Sequence, residues 1–379
     1  MKPLSPSNEH HYAKARMLTN KASSRRPVII DTDTDIDDLW AVAYSINVPT
    51  IDVVAITAVG DGFSDPFYTA PNMLTLLGLL GCKDGVAVAY GRSSSILGPI
   101  DTYLTSPKCL NQTADIYLQP SPFDAVELIV QILKHSHGKV DILALGPLTN
   151  IAEAISTDRT IVKKIGTLYF SGGDFQALSQ FTLLPPAQQP SFPYHTKNKG
   201  SSWNVFLDVL AMQRVASSGI KLAAMPSPTQ LLLPTNLTML EILVKKFNIK
   251  LTPFLHGLIT NAAKCTNQDE GEIKWWDNSA AQLMVQMQTK NNKKGFCKKF
   301  ETVSTLFFLI PESDQLFGHG VVNLTKAVKG QAPFTICTQV DETIFLKEFL
   351  TKLISKKHYS CATTYKNRYD IALQRQLSG

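Results

Sequence analysis

Directly after the apolar stretch Pro27-Val28-Ile29-Ile30, the chain reads Asp31-Thr32-Asp33-Thr34-Asp35-Ile36-Asp37-Asp38. Five carboxylates in eight residues repel one another at neutral pH. A fold that sets them at the end of a buried strand needs a compensating charge. A divalent cation with hard oxygen ligands would supply it. Helix capping plus a solvated acidic loop is the plainer alternative. It accounts for one or two aspartates at such a turn, not for five.

Of the 379 residues, 44% are apolar and 18% charged, which suits a large globular core rather than a disordered chain. The net charge of +6 is partly local: Lys2, Lys14, Arg16, Lys21, Arg25 and Arg26 face only Glu9 near the start. Residues 1–26 are therefore expected to form a flexible basic tail, and residues 27–379 a single α/β domain. Beyond that tail nothing suggests a nucleic-acid partner. No stretch approaches the roughly 18 consecutive apolar residues of a membrane span. The six cysteines are scattered, with no CxxC pair, so neither a zinc site nor a disulfide framework is expected. That usage sets the expectation of a reducing, cytoplasmic setting.

Hydrophobic patterning gives strands over 28–33, 51–59, 86–90, 140–145, 165–170, 221–225 and 302–309. Helices are predicted over 37–46, 66–82, 123–135, 148–156, 203–218, 239–247, 253–265, 278–287 and 344–355. Alternating strand and helix argues for a mostly parallel central sheet flanked by helices on both faces. Residues 174–202, rich in Pro, Gln, Ser and Lys, break the alternation and read as a long loop. The lysine-rich stretch 290–299 reads as a solvated turn. Beyond residue 235 the pattern is mostly helical.

In parallel α/β sheets, ligands bind at the carboxyl ends of the strands. A turn after the first strand could bring Asp33 and Asp38 onto one cation. A bound metal would then make water a better nucleophile, and a neighbouring carboxylate would take its proton. Two enzyme readings stay open on these residues. An apolar strand followed by DxDxT (Asp31, Asp33, Thr34) is also the opening signature of haloacid-dehalogenase-type phosphatases. On that reading Asp31 is a nucleophile and the cation is Mg2+.

The longer pattern VIIDTDTDIDDLWAVA resembles the nucleoside hydrolase family, the inosine–uridine preferring nucleoside N-ribohydrolases, whose usual opening is an apolar strand and DTDxxxDDxxA. The paired Asp37-Asp38 followed by Ala41 fits that opening and has no place in the phosphatase signature. Residues Ile142 to Ala152 (ILALGPLTNIA) are similar to the family's ALGPLTNLA segment. Ser171-Gly172-Gly173 resembles its MGG, Trp203-Asn204 through Asp208 its E(F/W)NxxxD, and Trp276-Asp277 through Ala281 its late (H/W)DxxA. The similarity spans about residues 27 to 290.

That resemblance implies a Rossmann-like open α/β fold with a helical C-terminal part. It implies hydrolysis of ribonucleosides to free base and ribose, in nucleoside catabolism, with Ca2+ as the cofactor. Asp33 would be a calcium ligand and the base that activates water. Asp38 and Asp277 would be further ligands, and Leu145 would offer its backbone carbonyl. Asp37 would bind the ribose hydroxyls and Asn204 the sugar, while Asp31 would orient its neighbours from behind. A homodimer or homotetramer is likewise implied.

The chain departs from the family pattern at three places. The turn carries Thr34-Asp35 where Pro-Gly is usual. The sugar-binding Glu two residues before the Asn is Ser202. The position of the His that protonates a purine leaving group is Trp276, which could stack on the base or simply pack in the core. Asp61, after the second strand, stands where many members have Asn; it could face the ribose or merely serve the turn. These departures motivate a second reading, a catalytically weakened relative that binds a ribosyl ligand.

Overall fold

The computed structural model describes residues 25–34, 36–60, 62, 65–82, 86–96, 98, 118–173, 175, 202–234, 251–266, 275–289, 294–312, 315–323, 330–355 and 357–361. The strands are β1 (Arg26–Thr32), β2 (Ile51–Ala58), β3 (Ala87–Tyr90), β4 (Val140–Ala144), β5 (Ile165–Ser171), β6 (Lys221–Met225), β7 (Cys297–Glu312), β8 (Gln315–Asn323) and β9 (Phe334–Val340). The helices are α1 (Ile36–Ile46), α2 (Pro66–Leu79), α3 (Ala125–His135), α4 (Thr149–Thr157), α5 (Trp203–Leu207), α6 (Val209–Ala216), α7 (Ser227–Gln230), α8 (Leu251–Thr266), α9 (Trp276–Gln288) and α10 (Glu342–Leu353).

The strands form one nine-stranded sheet in the order β3-β2-β1-β4-β5-β6-β9-β7-β8. The pairs from β3 across to β9 are parallel; β7 then pairs antiparallel with β9, and β8 antiparallel with β7. This bears out a mostly parallel sheet covered on both faces. Alternate residues of β1 enter different cores, because successive side chains of a strand point to opposite faces. Val28 and Ile30 pack with α1, α2, α8, α9 and α10, whereas Ile29 packs with α3, α4 and α6. From β1 the chain moves outward to β2 and β3, then returns to place β4 on β1's other side. The β1–β4 boundary is therefore the point where strand order reverses, the place beyond whose carboxyl ends open α/β sheets bind ligands.

Several sequence expectations are corrected. The C-terminal part holds helices α8, α9 and α10 as expected, but β7, β8 and β9 lie there too and extend the sheet. Strand β9 escapes the pattern because Thr335, Thr338 and Gln339 interrupt its apolar residues. Cys297 to Lys299 open β7 rather than a solvated turn. The helix expected over 203–218 is broken at Asp208 (φ −145°, ψ 76°), whose carboxylate caps the amide of Ala211 at 2.9 Å. Arg25 and Arg26 are not tail residues. Arg26 opens β1 and grips buried Asp141 through two 2.8 Å bonds, and Arg25 lies 3.6 Å from Asp52. The expected helix at 239–247 lies outside the described residues, as do residues 1–24 and nearly all of the expected loop 174–202.

The cysteine expectation also fails. Cys82 pairs with Cys361 and Cys297 with Cys337, with Cα separations of 4.6 and 5.9 Å. The partners are 279 and 40 positions apart, so no local spacing announces them. Disulfides of this kind belong to oxidising settings, which removes the ground for expecting a cytoplasmic protein. Among the described residues, no helix is long and apolar enough to cross a membrane.

Candidate active site

The site is assembled from the carboxyl ends of β1, β4 and β5 and the first turns of α1 and α9. Strand β1 delivers Asp31 as its penultimate residue and ends at Thr32. The chain turns through Thr34, a β-branched residue at a φ of 51°. That left-handed conformation disfavours a side chain branched at Cβ. The Thr34 amide is held by the Thr32 hydroxyl at 3.1 Å, while the Thr34 hydroxyl has no hydrogen-bond partner among the described residues. Helix α1 then begins, with Asp37 and Asp38 in its first turn, where the helix dipole favours negative charge.

A helix from much later in the chain, α9, reaches the same place. Asp277 stands in its first turn, and one carboxylate oxygen each from Asp37, Asp38 and Asp277 lies within 4.8 Å of the others, all buried. Asp37 accepts the backbone amide of Asp277 at 2.8 Å. Asp38 accepts the Thr32 hydroxyl. Burial drives the Asp277 carboxyl well above the usual carboxylate range, and the charges of Asp38, Asp37 and Asp33 add to the effect. Asp33 is thus outside the tightest trio but near enough to act on it.

Two glycines make room for Asp33. A Cβ at Gly62 would lie 1.8 Å from its Oδ2, and one at Gly146 would lie 2.9 Å from its Cβ. Gly146 stood inside the quoted GPLTN segment, whereas Gly62 had only its position after β2 as a signal. Behind Asp33, Asp31 is completely buried. Its Oδ1 accepts Asn150 at 2.9 Å and the Thr57 hydroxyl, and its Oδ2 has no hydrogen-bond partner among the described residues. Burial pushes its pKa up to about 7, against the pull of Asn150 and Thr57. A carboxylate enclosed in this way suits a supporting role, not the nucleophile of the phosphatase reading.

The carbonyl of Leu145 accepts the Asn204 amide at 2.7 Å, and the same Nδ2 reaches the Ser171 carbonyl at 3.1 Å. Leu145 is itself fixed to β1, its amide donating to the Asp31 carbonyl at 2.8 Å. Ser202 is buried, and its hydroxyl accepts the Gly173 amide at 2.8 Å. Trp275, not Trp276, is the core tryptophan, 5.5 Å from the ring of Trp40 and 5.3 Å from Phe349. Trp276 is half-buried beside Asp277. Asp61 lies outside the described residues. Sequence reasoning missed Thr32, whose hydroxyl serves the nearby Asp38 and Thr34, and Thr57, Asn150 and Gln230, whose partners are distant in sequence. Of these, Thr32 and Asn150 stood inside quoted motifs.

The donor set is all oxygen, buried and mutually repulsive, which fits a hard divalent cation such as Ca2+ or Mg2+. Asp38, Asp277 and Asp37 or Asp33 would hold it, with Leu145 offering the second lone pair of its carbonyl.

A family model described as inosine-uridine preferring nucleoside hydrolase matches residues 28–347. Uridine nucleosidase 1 of Arabidopsis thaliana is 34% identical over 156 residues, covering 40% of this chain and 46% of that protein. The pyrimidine-specific ribonucleoside hydrolase RihA of Photobacterium profundum is 32% identical over 160 residues, covering 40% and 50%. The chain spans about half the length of the curated relatives it matches. Among solved structures, a plant nucleoside hydrolase, the PpNRh1 enzyme, superposes with a TM-score of 0.69 at 21% identity, covering 87% of this chain and 99% of that one. An inosine-uridine preferring nucleoside hydrolase from Bacillus anthracis superposes with a TM-score of 0.67 at 18% identity, covering 88% and 100%. At these identities the structural likeness speaks to the fold alone.

Proposed function

The chain belongs to the inosine-uridine preferring nucleoside hydrolase family, and on that premise we propose that it cleaves the N-glycosidic bond of ribonucleosides, giving free base and ribose. The observation that carries the reading is the meeting of Asp37 and Asp38, from the β1–α1 turn, with Asp277, 240 positions beyond Asp37. Such a cluster is costly unless a cation compensates it.

We assign Ca2+ to this cluster, held by Asp33, Asp38, Asp277 and the Leu145 carbonyl, with Asp37 alongside. When bound, the cation supplies Lewis acidity that makes water a better nucleophile at neutral pH. Asp33 takes the proton from the attacking water. The water oxygen bonds to the anomeric carbon as the carbon–nitrogen bond breaks, and the electron pair of that broken bond leaves with the base, which takes a proton from solvent to give the free base. The sugar passes through an oxocarbenium-like state, whose positive charge the surrounding carboxylates stabilise. Asp37 and Asn204 hold the ribose hydroxyls, and half-buried Trp276 offers a face to the base. A homodimer or homotetramer accords with the family resemblance.

The test is base release from uridine, inosine, adenosine and xanthosine, with calcium and after chelation, using Asp33→Ala as the control. Calcium-dependent release abolished in Asp33→Ala supports the reading. One observation favours the weaker alternative, a relative that binds a ribosyl ligand with slow turnover. Ser202 is spent on the Gly173 amide, so no carboxylate occupies the family's Glu position. Ribonucleoside binding without base release would select that alternative, and turnover of a phosphate ester alone would overturn both.

A further inference from the structure

A buried glutamine beside the carboxylate cluster has no part in the chemistry above. Gln230 ends α7, is 3% exposed, and directs its Nε2 at three oxygens. These are the Trp276 carbonyl at 2.7 Å, the Ser171 hydroxyl at 3.1 Å and the Ser279 hydroxyl at 3.2 Å. The shortest contact matters most. The Trp276 carbonyl and the Asp277 amide belong to one peptide unit, which is planar and moves as a body. Gln230 holds its oxygen end; Asp37 holds its N–H end at 2.8 Å. The Ser279 hydroxyl adds a second donor to the same carbonyl at 2.5 Å.

We propose that Gln230 is the positioning residue for Asp277, clamping the 276–277 peptide so that the Asp277 carboxylate stays in the cation cluster. The proposal rests on the cation reading given above. Asp277 stands in the first turn of α9, and its approach to Asp37 and Asp38 is opposed by charge repulsion whenever the cation is absent. A free helix end would relieve that repulsion by swinging outward. Gln230 prevents the swing because it is anchored elsewhere: its own amide bonds to the Pro226 carbonyl at 2.9 Å, and neighbouring Thr229 ties α7 to β9 through the Cys337 carbonyl at 2.9 Å. The Ser171 contact adds a link to the strand end whose carbonyl accepts Asn204. Partners that orient ligands from behind a metal commonly contribute about 10- to 100-fold in affinity.

The experiment is calorimetric titration of the full chain with calcium chloride, comparing wild type, Gln230→Met and Gln230→Glu. Met fills the same space without a donor, and Glu keeps the shape while presenting an acceptor to the Trp276 carbonyl. The expected result is a calcium Kd raised about tenfold in Gln230→Met and further in Gln230→Glu. Uridine turnover in both would fall at limiting calcium and recover at excess calcium, with KM little changed. A folded Gln230→Met protein with the wild-type Kd overturns the proposal. A wild type that binds no calcium overturns the cation reading itself, a separable outcome. If neither Gln230 variant folds, Ser279→Ala serves: removing the second donor to the same carbonyl should raise the Kd a few-fold, and an unchanged Kd overturns the clamp.

Discussion

The Asp37 carboxylate accepts the backbone N–H of Asp277 at 2.8 Å, joining the first turn of α1 to the first turn of α9. One of the orphan amides at the start of α9 is thus satisfied by a charged group from another helix. Asp37 is both a cap and a member of a repulsive cluster, and these roles can be separated. Asp37→Asn keeps an oxygen able to accept the amide but removes one negative charge. In calcium-free buffer this variant should melt no lower than wild type, because like-charge repulsion is reduced. Its calcium affinity should fall about tenfold. Differential scanning calorimetry and calcium titration on the same samples check both halves.

Asp33 is walled in by Gly62, where a Cβ would lie 1.8 Å from its Oδ2 and 2.4 Å from its Cβ. Gly62→Ala must therefore displace the Asp33 side chain. A misplacement of about 1 Å at a catalytic group costs on the order of 100-fold in rate. Steady-state kinetics should show kcat for uridine reduced by that order, with an unchanged far-ultraviolet circular dichroism spectrum. Wild-type kcat in Gly62→Ala would remove Asp33 from the mechanism.

Thr34 is a β-branched residue in the left-handed region, and its buried hydroxyl has no hydrogen-bond partner among the described residues. Both features cost stability. Thr34→Gly relieves them while giving the unfolded chain more freedom. The net expectation is a gain of about 1 kcal/mol, read as a higher urea midpoint at constant slope. A lower midpoint would show that Thr34 contributes more by packing than its conformation costs.

The Cys82–Cys361 and Cys297–Cys337 pairs predict that non-reduced protein carries at least two disulfides by mass spectrometry. Breaking such cross-links typically costs about 2–5 kcal/mol each. Reductant should therefore lower the melting temperature by several degrees, and Cys297→Ser with Cys337→Ser should reproduce part of the fall. Full-length protein with four free thiols at these positions would contradict the pairing.

His358 bonds to the Asn47 side-chain oxygen at 2.6 Å, and burial holds its pKa below the ordinary 6.5. The folded state therefore disfavours the proton that the unfolded chain takes up as pH drops below about 6.5. Stability is full above that value and declines as pH falls toward the depressed folded pKa. Urea titrations between about pH 5 and 8 should show this slope in wild type and a flatter one in His358→Asn. Equal slopes would assign the pH dependence to other groups.

The corrections have a common origin. The helix–strand alternation up to residue 225 was legible because each strand there is a compact apolar run. Strand β9 was not, since polar residues interrupt its apolar run and only its pairing between β6 and β7 defines it as a strand. The acidic run announced a site, and the motif resemblance named Asp277 as its distant member. That Asp37 would cap α9, that Ser202 would turn to Gly173, and that Gln230 would sit behind Trp276 left no trace in any local window.

By itself, the sequence determined the α/β character, the strand that carries the aspartates and the kind of ion they call for, because periodicity and charge density are properties of neighbouring residues. Tertiary structure alone decided which carboxylates share a space, which cysteines meet and which side chains hold the site in place. Those relationships join residues up to 279 positions apart, and only the assembled sheet brings them within bonding distance.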